Sequence, residues 1–315
     1  MSKPIVAVDI PLSPAITKLI QPFGEIRQWQ EGTAVGAASQ ALYTYGHTQV
    51  DNSLLTGLEQ LKVVSNFGVG VDHIDIGAAH RRGVAVGNTP GAVDGATADM
   101  TMALVLAAAR NLVVGDRFAR SAEFTHYDPS LLIGAEVYGS TLGIVGMGAI
   151  GRQVAKRARG FDLRVLYHNR NRDRASEEAL GVEYTPLSEL LARSHFVTLN
   201  VPMTPATRHL IGEAELRAMR DDAILINAAR GGVVDHDALY RALTEGWIRA
   251  AGLDVTEPEP LPRDHPLLQL DNLTLMPHLG SAADRSRQKM AMMSVENLRA
   301  GLEGHVLPFA AAAQA

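Results

Sequence analysis

The chain contains no cysteine, which excludes disulfides, thiolate metal ligands and a cysteine nucleophile. It also lacks any large charge imbalance. Its 29 Lys and Arg stand against 34 Asp and Glu, a formal charge of −5, so net charge gives no reason to bind nucleic acid or an anionic membrane. Any affinity for anions must come from a local site. No stretch reaches the roughly 18 uninterrupted apolar residues that span a bilayer. The longest apolar run, residues 102–109, suits one buried helix. Residues 1–10 lack the basic region, apolar stretch and small-residue cleavage site of a secretory signal. A cytoplasmic protein without nucleic-acid or membrane partners is expected. No HExxH or similarly spaced cluster is present, and His73, His80 and His265 stand isolated, so no metal site and no metal-dependent hydrolysis are expected.

What is present is an ordinary globular composition, 46% hydrophobic and 20% charged over 315 residues. That length exceeds what one core usually organises, so two domains are expected. Short apolar runs alternate with helix-like segments, the pattern of βαβ units and parallel sheets. Strands are predicted at 5–8, 41–45, 63–66 and 84–87, with helices at 14–21, 52–60 and 74–81. The segment 97–110 is apolar on most of its circumference, which predicts a buried helix lying between two domains. After a variable stretch of about 30 residues, six further strands are predicted at 142–146, 164–168, 196–201, 223–227, 250–255 and 273–276. Six strands with intervening helices match a doubly wound dinucleotide-binding sheet. A final helix covers 283–302. There is no internal repeat, and the one biased segment is the Ala-rich tail 310–315.

Gly146-Met147-Gly148-Ala149-Ile150-Gly151 follows a predicted strand and opens a predicted helix, the context a GxGxxG motif requires. Gly146 permits the tight turn, Gly148 lets backbone approach a pyrophosphate, and Gly151 lets helix and strand pack closely. The N–H groups at the helix start then meet phosphate charge. The end of the next strand selects the nucleotide. An NAD enzyme would carry Asp or Glu there to hold the ribose hydroxyls. This chain reads Tyr167-His168-Asn169-Arg170-Asn171-Arg172. With no carboxylate in place and guanidinium groups close by, a 2′-phosphate is favoured. NADP(H) is the expected cofactor, with NAD(H) as the alternative.

Ligands of open α/β sheets sit outside the carboxyl ends of the strands. Three of those ends lead into Arg230, into Asp254 and Glu259, and into His278. Carbonyl reduction by a nicotinamide needs these residue types. Hydride reaches the carbonyl carbon, charge builds on its oxygen, and a proton must be delivered there. Histidine is the natural donor near neutral pH, a neighbouring carboxylate favours the imidazolium, and arginine can grip the substrate carboxylate and polarise the ketone. The expected reaction is reduction of a small 2-keto acid to a 2-hydroxy acid.

The segments SNFGVGVDHID, GIVGMGAIG, NAARGGVVD, GLDVTEPEPLPRDHPLL and MPHLGSA resemble the D-isomer-specific 2-hydroxyacid dehydrogenases, glyoxylate/hydroxypyruvate reductases above all. The resemblance runs from about residue 62 to 308. It implies that Arg230 orients the keto acid, that Glu259 rather than Glu257 pairs with the histidine, and that His278 donates the proton. It further implies that Asp254 contacts the nicotinamide amide and that the N–H groups of Val69 and Gly70 hold the substrate carboxylate, as a Gly-Val-Gly nest can. The cofactor site is expected to take in the six residues Gly146 to Gly151 with Asn169, Arg170, Arg172, Pro202, Thr207, Ala228, Asp254 and Gly280. The implied architecture is a Rossmann domain, 98–284, inserted in a smaller flavodoxin-like substrate domain, 1–97 and 285–315, with a cleft that closes over the ligands. A homodimer and a D-product are also implied, and because the chain ends at Ala315 no appended regulatory domain is expected. One departure concerns substrate selection. Some such reductases carry an aromatic residue shortly before the glycine-motif strand, where this chain has Tyr127 followed by Leu131 and Leu132. Two other readings compete. One is an NAD-dependent dehydrogenase for a bulkier 2-hydroxy acid. The other is a non-enzymatic nucleotide sensor on the same fold, which would have no use for a proton donor.

Overall fold

The computed structural model describes residues 2–29, 36 and 38–312. Within the Ala-rich tail, residues 313–315 lie outside the described residues. The chain divides into two compact units, residues 1–93 with 283–315, and residues 94–282. Each is a parallel α/β sheet with its own core, as the alternating pattern predicts.

The first unit orders its strands β2-β1-β3-β4-β5, all parallel, the flavodoxin-like order. They are β1 (Ile5–Val8), β2 (Glu25–Gln28), β3 (Ser39–Thr44), β4 (Val63–Asn66) and β5 (Ala85–Gly87). β2 was not expected from the sequence. It is an edge strand reading EIRQ, with three of its four side chains exposed, so it carries no apolar run to announce it. The predicted helices at 52–60 and 74–81 are shorter, Asn52–Thr56 and Ile76–Arg81, each capped by an aspartate whose side chain accepts a backbone N–H. The last helix, Asp284–Glu303, covers β3 and β4. There the Ser294 hydroxyl lies 2.8 Å from that of Tyr43, and the Ser65 hydroxyl donates to the Ser294 carbonyl at 2.7 Å. Burial pushes the Tyr43 phenol well above its ordinary range.

The second unit contains seven parallel strands, one more than expected: β6 (Thr141–Val145), β7 (Arg164–His168), β8 (Glu183–Tyr184), β9 (Phe196–Leu199), β10 (Ile224–Asn227), β11 (Ala250–Leu253) and β12 (Leu273–Leu275). Their order is β12-β11-β10-β9-β6-β7-β8, the doubly wound dinucleotide-binding arrangement extended by one strand. The strand the sequence did not announce is β8, third of the seven along the chain, whose two residues are too short for any periodic signal. The buried apolar helix is Asp94–Ala109. It starts three residues before the predicted span and belongs to this unit, packed on β10, β11 and the helix Ala149–Ala158. Leu104 lies so close to Gly252 of β11 that a Cβ there would meet its Cβ at 3.3 Å. A further helix, Leu112–Arg120, occupies part of the stretch expected to be variable. Its apolar residues fall on one face, yet none of its residues is buried. Because all seven strands are parallel, the loops after β6, β7, β9, β10, β11 and β12 leave the same edge of the sheet.

Candidate active site

The glycine loop begins at that edge. Gly146 has φ +101°, a conformation other residues rarely adopt. A Cβ there would also approach the Asn200 carbonyl oxygen to 2.6 Å. Gly151 packs so tightly on the Gly146 carbonyl that no Cβ fits. Gly148, by contrast, faces open space with nothing within 4 Å of a built Cβ. No side chain caps the helix Ala149–Ala158 at Gly148. A tight turn, an open glycine and an uncapped helix start together form a cradle that fits a pyrophosphate. Met147 is buried beneath the loop, while Ala149 and Ile150 open the helix.

At the end of β7 there is no carboxylate in the ribose position, and the two guanidinium groups differ. Arg170 is exposed and makes no hydrogen bond or ion pair with any described residue. Arg172 is engaged on both sides of its fork by Glu177, Nε to Oε1 at 2.8 Å and Nη2 to Oε2 at 2.7 Å. Asn169 turns its amide inward to the Asn171 carbonyl at 3.0 Å. After β9, the Thr207 hydroxyl donates to the Pro202 carbonyl at 2.6 Å and accepts the Thr204 N–H at 2.8 Å. Those two expected cofactor residues thus brace one turn.

The loops after β10, β11 and β12 bear the residues expected to do the chemistry. Ala228, buried, and Arg230 follow β10. Asn227 holds this loop by accepting the Ala229 N–H at 3.0 Å and donating to the Arg230 carbonyl at 2.8 Å. Gly231 has no room for a Cβ against the Thr256 carbonyl, so the Arg230 loop and the loop after β11 touch backbone to backbone. Asp254 is 1% exposed. Its carboxylate accepts the N–H groups of Leu279 and Gly280, both at 2.7 Å, and its carbonyl accepts the His278 N–H at 2.8 Å. This residue therefore fixes the backbone of the histidine loop, an interaction its expected role towards the nicotinamide amide did not anticipate. His278 itself has φ +57°, and its Nδ1 lies 2.7 Å from Glu259 Oε1. Glu259, not Glu257, pairs with the histidine. Glu257 instead pairs with Arg208, at 2.9 and 3.2 Å.

In the first unit, Val69 and Gly70 follow β4 in an irregular turn braced by Asn66 and Asn88. The Asn66 amide donates to the carbonyls of Gly68 and Gly70, and Asn88 donates to that of Val69. With the carbonyls tied back, the N–H groups of Val69 and Gly70 donate to no described residue. Sequence reasoning missed Asn66, Asn88 and Arg208, because their partners are backbone atoms or lie far along the chain. Among the described residues no group of three or more His, Asp or Glu could hold a metal ion. No single helix among them is long and apolar enough to cross a membrane.

A parallel sheet with a glycine cradle at one strand end, and an arginine and a Glu–His pair at others, defines a nicotinamide-dinucleotide oxidoreductase. The chain belongs to the D-isomer-specific 2-hydroxyacid dehydrogenases, whose NAD-binding-domain model matches residues 102–280. It is similar to proteins named glyoxylate reductase. One, from Aeropyrum pernix, is 43% identical over 320 residues, covering 98% of this chain and 96% of that protein. Another, from Korarchaeum cryptofilum, is 49% identical over 260 residues, 82% of this chain and 78% of that protein. Among solved structures, the NADPH-dependent glyoxylate/hydroxypyruvate reductase of Sinorhizobium meliloti, in complex with NADP and malonate, superposes with a TM-score of 0.90. It is 29% identical over 99% of this chain and 97% of that one.

Proposed function

We propose that this enzyme reduces glyoxylate and hydroxypyruvate with NADPH, giving the D-2-hydroxy acid where the product is chiral, with His278 as the proton donor. The observation that carries the reading is the 2.7 Å pair of His278 and Glu259, on loops that leave the same sheet edge as the glycine cradle. The dinucleotide, when bound, supplies the hydride. Everything else falls to side chains and backbone. Glu259 engages Nδ1 and so directs Nε2, as the proton-bearing nitrogen, towards the substrate oxygen. Arg230 grips the keto acid and stabilises charge developing on that oxygen, and the N–H groups of Val69 and Gly70 take the substrate carboxylate.

The preference for NADPH rests on the absent carboxylate after β7 and on the uncommitted guanidinium of Arg170. The preference for small keto acids rests on likeness to proteins named for glyoxylate. We further infer a homodimer, because Leu112, Phe124, Tyr127, Ile133 and Tyr138 expose 51–81% of their surface within one stretch of chain. Light scattering at micromolar concentration tests that inference, and a monomer would refute it. The activity is tested by following NADPH and NADH oxidation at 340 nm against glyoxylate, hydroxypyruvate, pyruvate, 2-ketogluconate and phenylpyruvate. Fast turnover of glyoxylate and hydroxypyruvate with NADPH is expected. A preference for NADH or for an aryl substrate would replace the specificity assigned above. Tight dinucleotide binding without turnover of any of them would point to a sensor.

A further inference from the structure

Two guanidinium groups leave the loop after β7, and the structure treats them oppositely. Arg170 projects with no partner among the described residues. Arg172 is held in a fork by Glu177, 2.8 and 2.7 Å, and its guanidinium carbon stands 5.7 Å from the centre of the Tyr184 ring. Glu177 is itself held from below. The Tyr167 hydroxyl donates to Glu177 Oε1 at 2.7 Å while accepting the Asp173 N–H at 2.8 Å. The Tyr167 ring is fully buried in β7, so this anchor does not move with solvent. The Arg172 hydrogen bonds, then that of Tyr167, hold the Glu177 carboxyl down at about 2. The carboxylate is therefore charged at every working pH. Asp173 is fixed as well, capping the following helix and accepting from Arg152 of the glycine-loop helix at 3.1 Å.

We propose that Glu177 is a selectivity residue for the dinucleotide: it withholds Arg172 from the 2′-phosphate and leaves Arg170 as the one guanidinium that reads it. This rests on the NADPH reading given above. A phosphate can recruit Arg172 only by breaking a two-pronged charged pair, and doing so leaves the Glu177 carboxylate beside the incoming negative charge. The clamp therefore lowers the contrast between NADPH and NADH below what two free arginines would give. A merely structural role for the same contacts, such as bracing the helix Arg174–Leu180, would change stability without distinguishing the two nucleotides.

The experiment measures dissociation constants of the whole enzyme for NADPH and NADH by fluorescence, and for 2′,5′-ADP and 5′-AMP by calorimetry. Glu177→Gln is expected to tighten NADPH and 2′,5′-ADP by roughly threefold to tenfold, the scale of one exposed guanidinium–phosphate contact, without tightening NADH or 5′-AMP. Adding Arg172→Ala to Glu177→Gln is expected to abolish that gain. Arg172→Ala alone is expected to move the NADPH-to-NADH ratio by less than about twofold, because the clamp already takes that charge out of play. The clamp is refuted by a Glu177→Gln variant with no selective gain, or by a gain that survives the added Arg172→Ala. It is equally refuted if Arg172→Ala alone weakens NADPH selectively, and that arm decides the matter should Glu177→Gln fail to fold. Arg170→Ala separates the two readings. Selective weakening of NADPH and 2′,5′-ADP upholds Arg170 as the phosphate reader whatever Glu177 does. Equal loss for both nucleotides removes that role and the clamp with it.

Discussion

Arg208 and Glu257 form a two-pronged ion pair, 2.9 and 3.2 Å, that joins the loop after β9 to the turn bearing Glu259. The same turn is gripped from another side by His236, whose Nδ1 lies 2.9 Å from the Glu257 carbonyl. Glu259 is thus presented to His278 by a turn with two external ties. The ion pair is half exposed, 53% and 40% at the two side chains, so it adds little to global stability. Its effect is expected in positioning. Arg208→Gln should cost less than about 1 kcal/mol of stability yet lower kcat/KM roughly fivefold, because small misplacement of catalytic groups is costly. Paired denaturation and steady-state measurements check this. A large stability loss, or unchanged kcat/KM, would contradict it.

His278→Ala should lower turnover by roughly 10² or more, the usual scale for losing a general acid, while NADPH still binds. Glu259→Gln should fall between this variant and the parent, because the imidazole keeps its place but loses the carboxylate that engages its Nδ1. Single-turnover rates with glyoxylate, beside nucleotide affinities, give both numbers. Near-normal turnover in His278→Ala would remove the mechanism.

The glycine loop predicts two opposite failures. A Cβ on Gly148 meets nothing within 4 Å, so Gly148→Ala should melt like the parent but bind dinucleotide weakly, since the methyl occupies the space a pyrophosphate needs. A Cβ on Gly151 collides with the Gly146 carbonyl, so Gly151→Ala should lose about 1–3 kcal/mol of stability as well. Thermal melts with and without NADPH distinguish the two. Equal stability loss in both would show that the loop is not shaped for a ligand.

His236 is buried, and desolvation lowers its pKa from the ordinary 6.5. The folded chain takes up this proton less readily than the unfolded chain. Stability from this group is therefore complete above about pH 6.5 and is lost as pH falls through the lowered value. Melting temperatures between pH 8 and pH 5 should decline more steeply for the parent than for His236→Gln. Parallel profiles would show that another group governs the acid limb.

Much of this could be read from the chain because its signals are local and periodic. The apolar runs of β6, β7, β9, β10, β11 and β12 each announce a buried strand, and the residues just past them carry the site. What escaped has physical reasons. β8 is two residues long, and β2 exposes Glu25, Arg27 and Gln28, so neither could show alternation. The commitment of Arg172 to Glu177 was equally invisible, since a run of Arg, Asp and Glu reads as solvated charge until a buried tyrosine is seen beneath it. Asp254 appeared as a cofactor contact from resemblance alone, whereas its hold on two backbone N–H groups depends on how the loops after β11 and β12 meet.

If His278 is the proton donor proposed above, its left-handed backbone, φ +57°, sets durability against turnover at a single residue. A side chain with a Cβ costs about 1–2 kcal/mol in that region, and glycine has no such cost. His278→Gly is therefore expected to keep the melting temperature of the parent or raise it while turnover collapses, and added imidazole is expected to restore part of the rate. Under the proposed mechanism, the fold would give up ruggedness for a proton donor at this position.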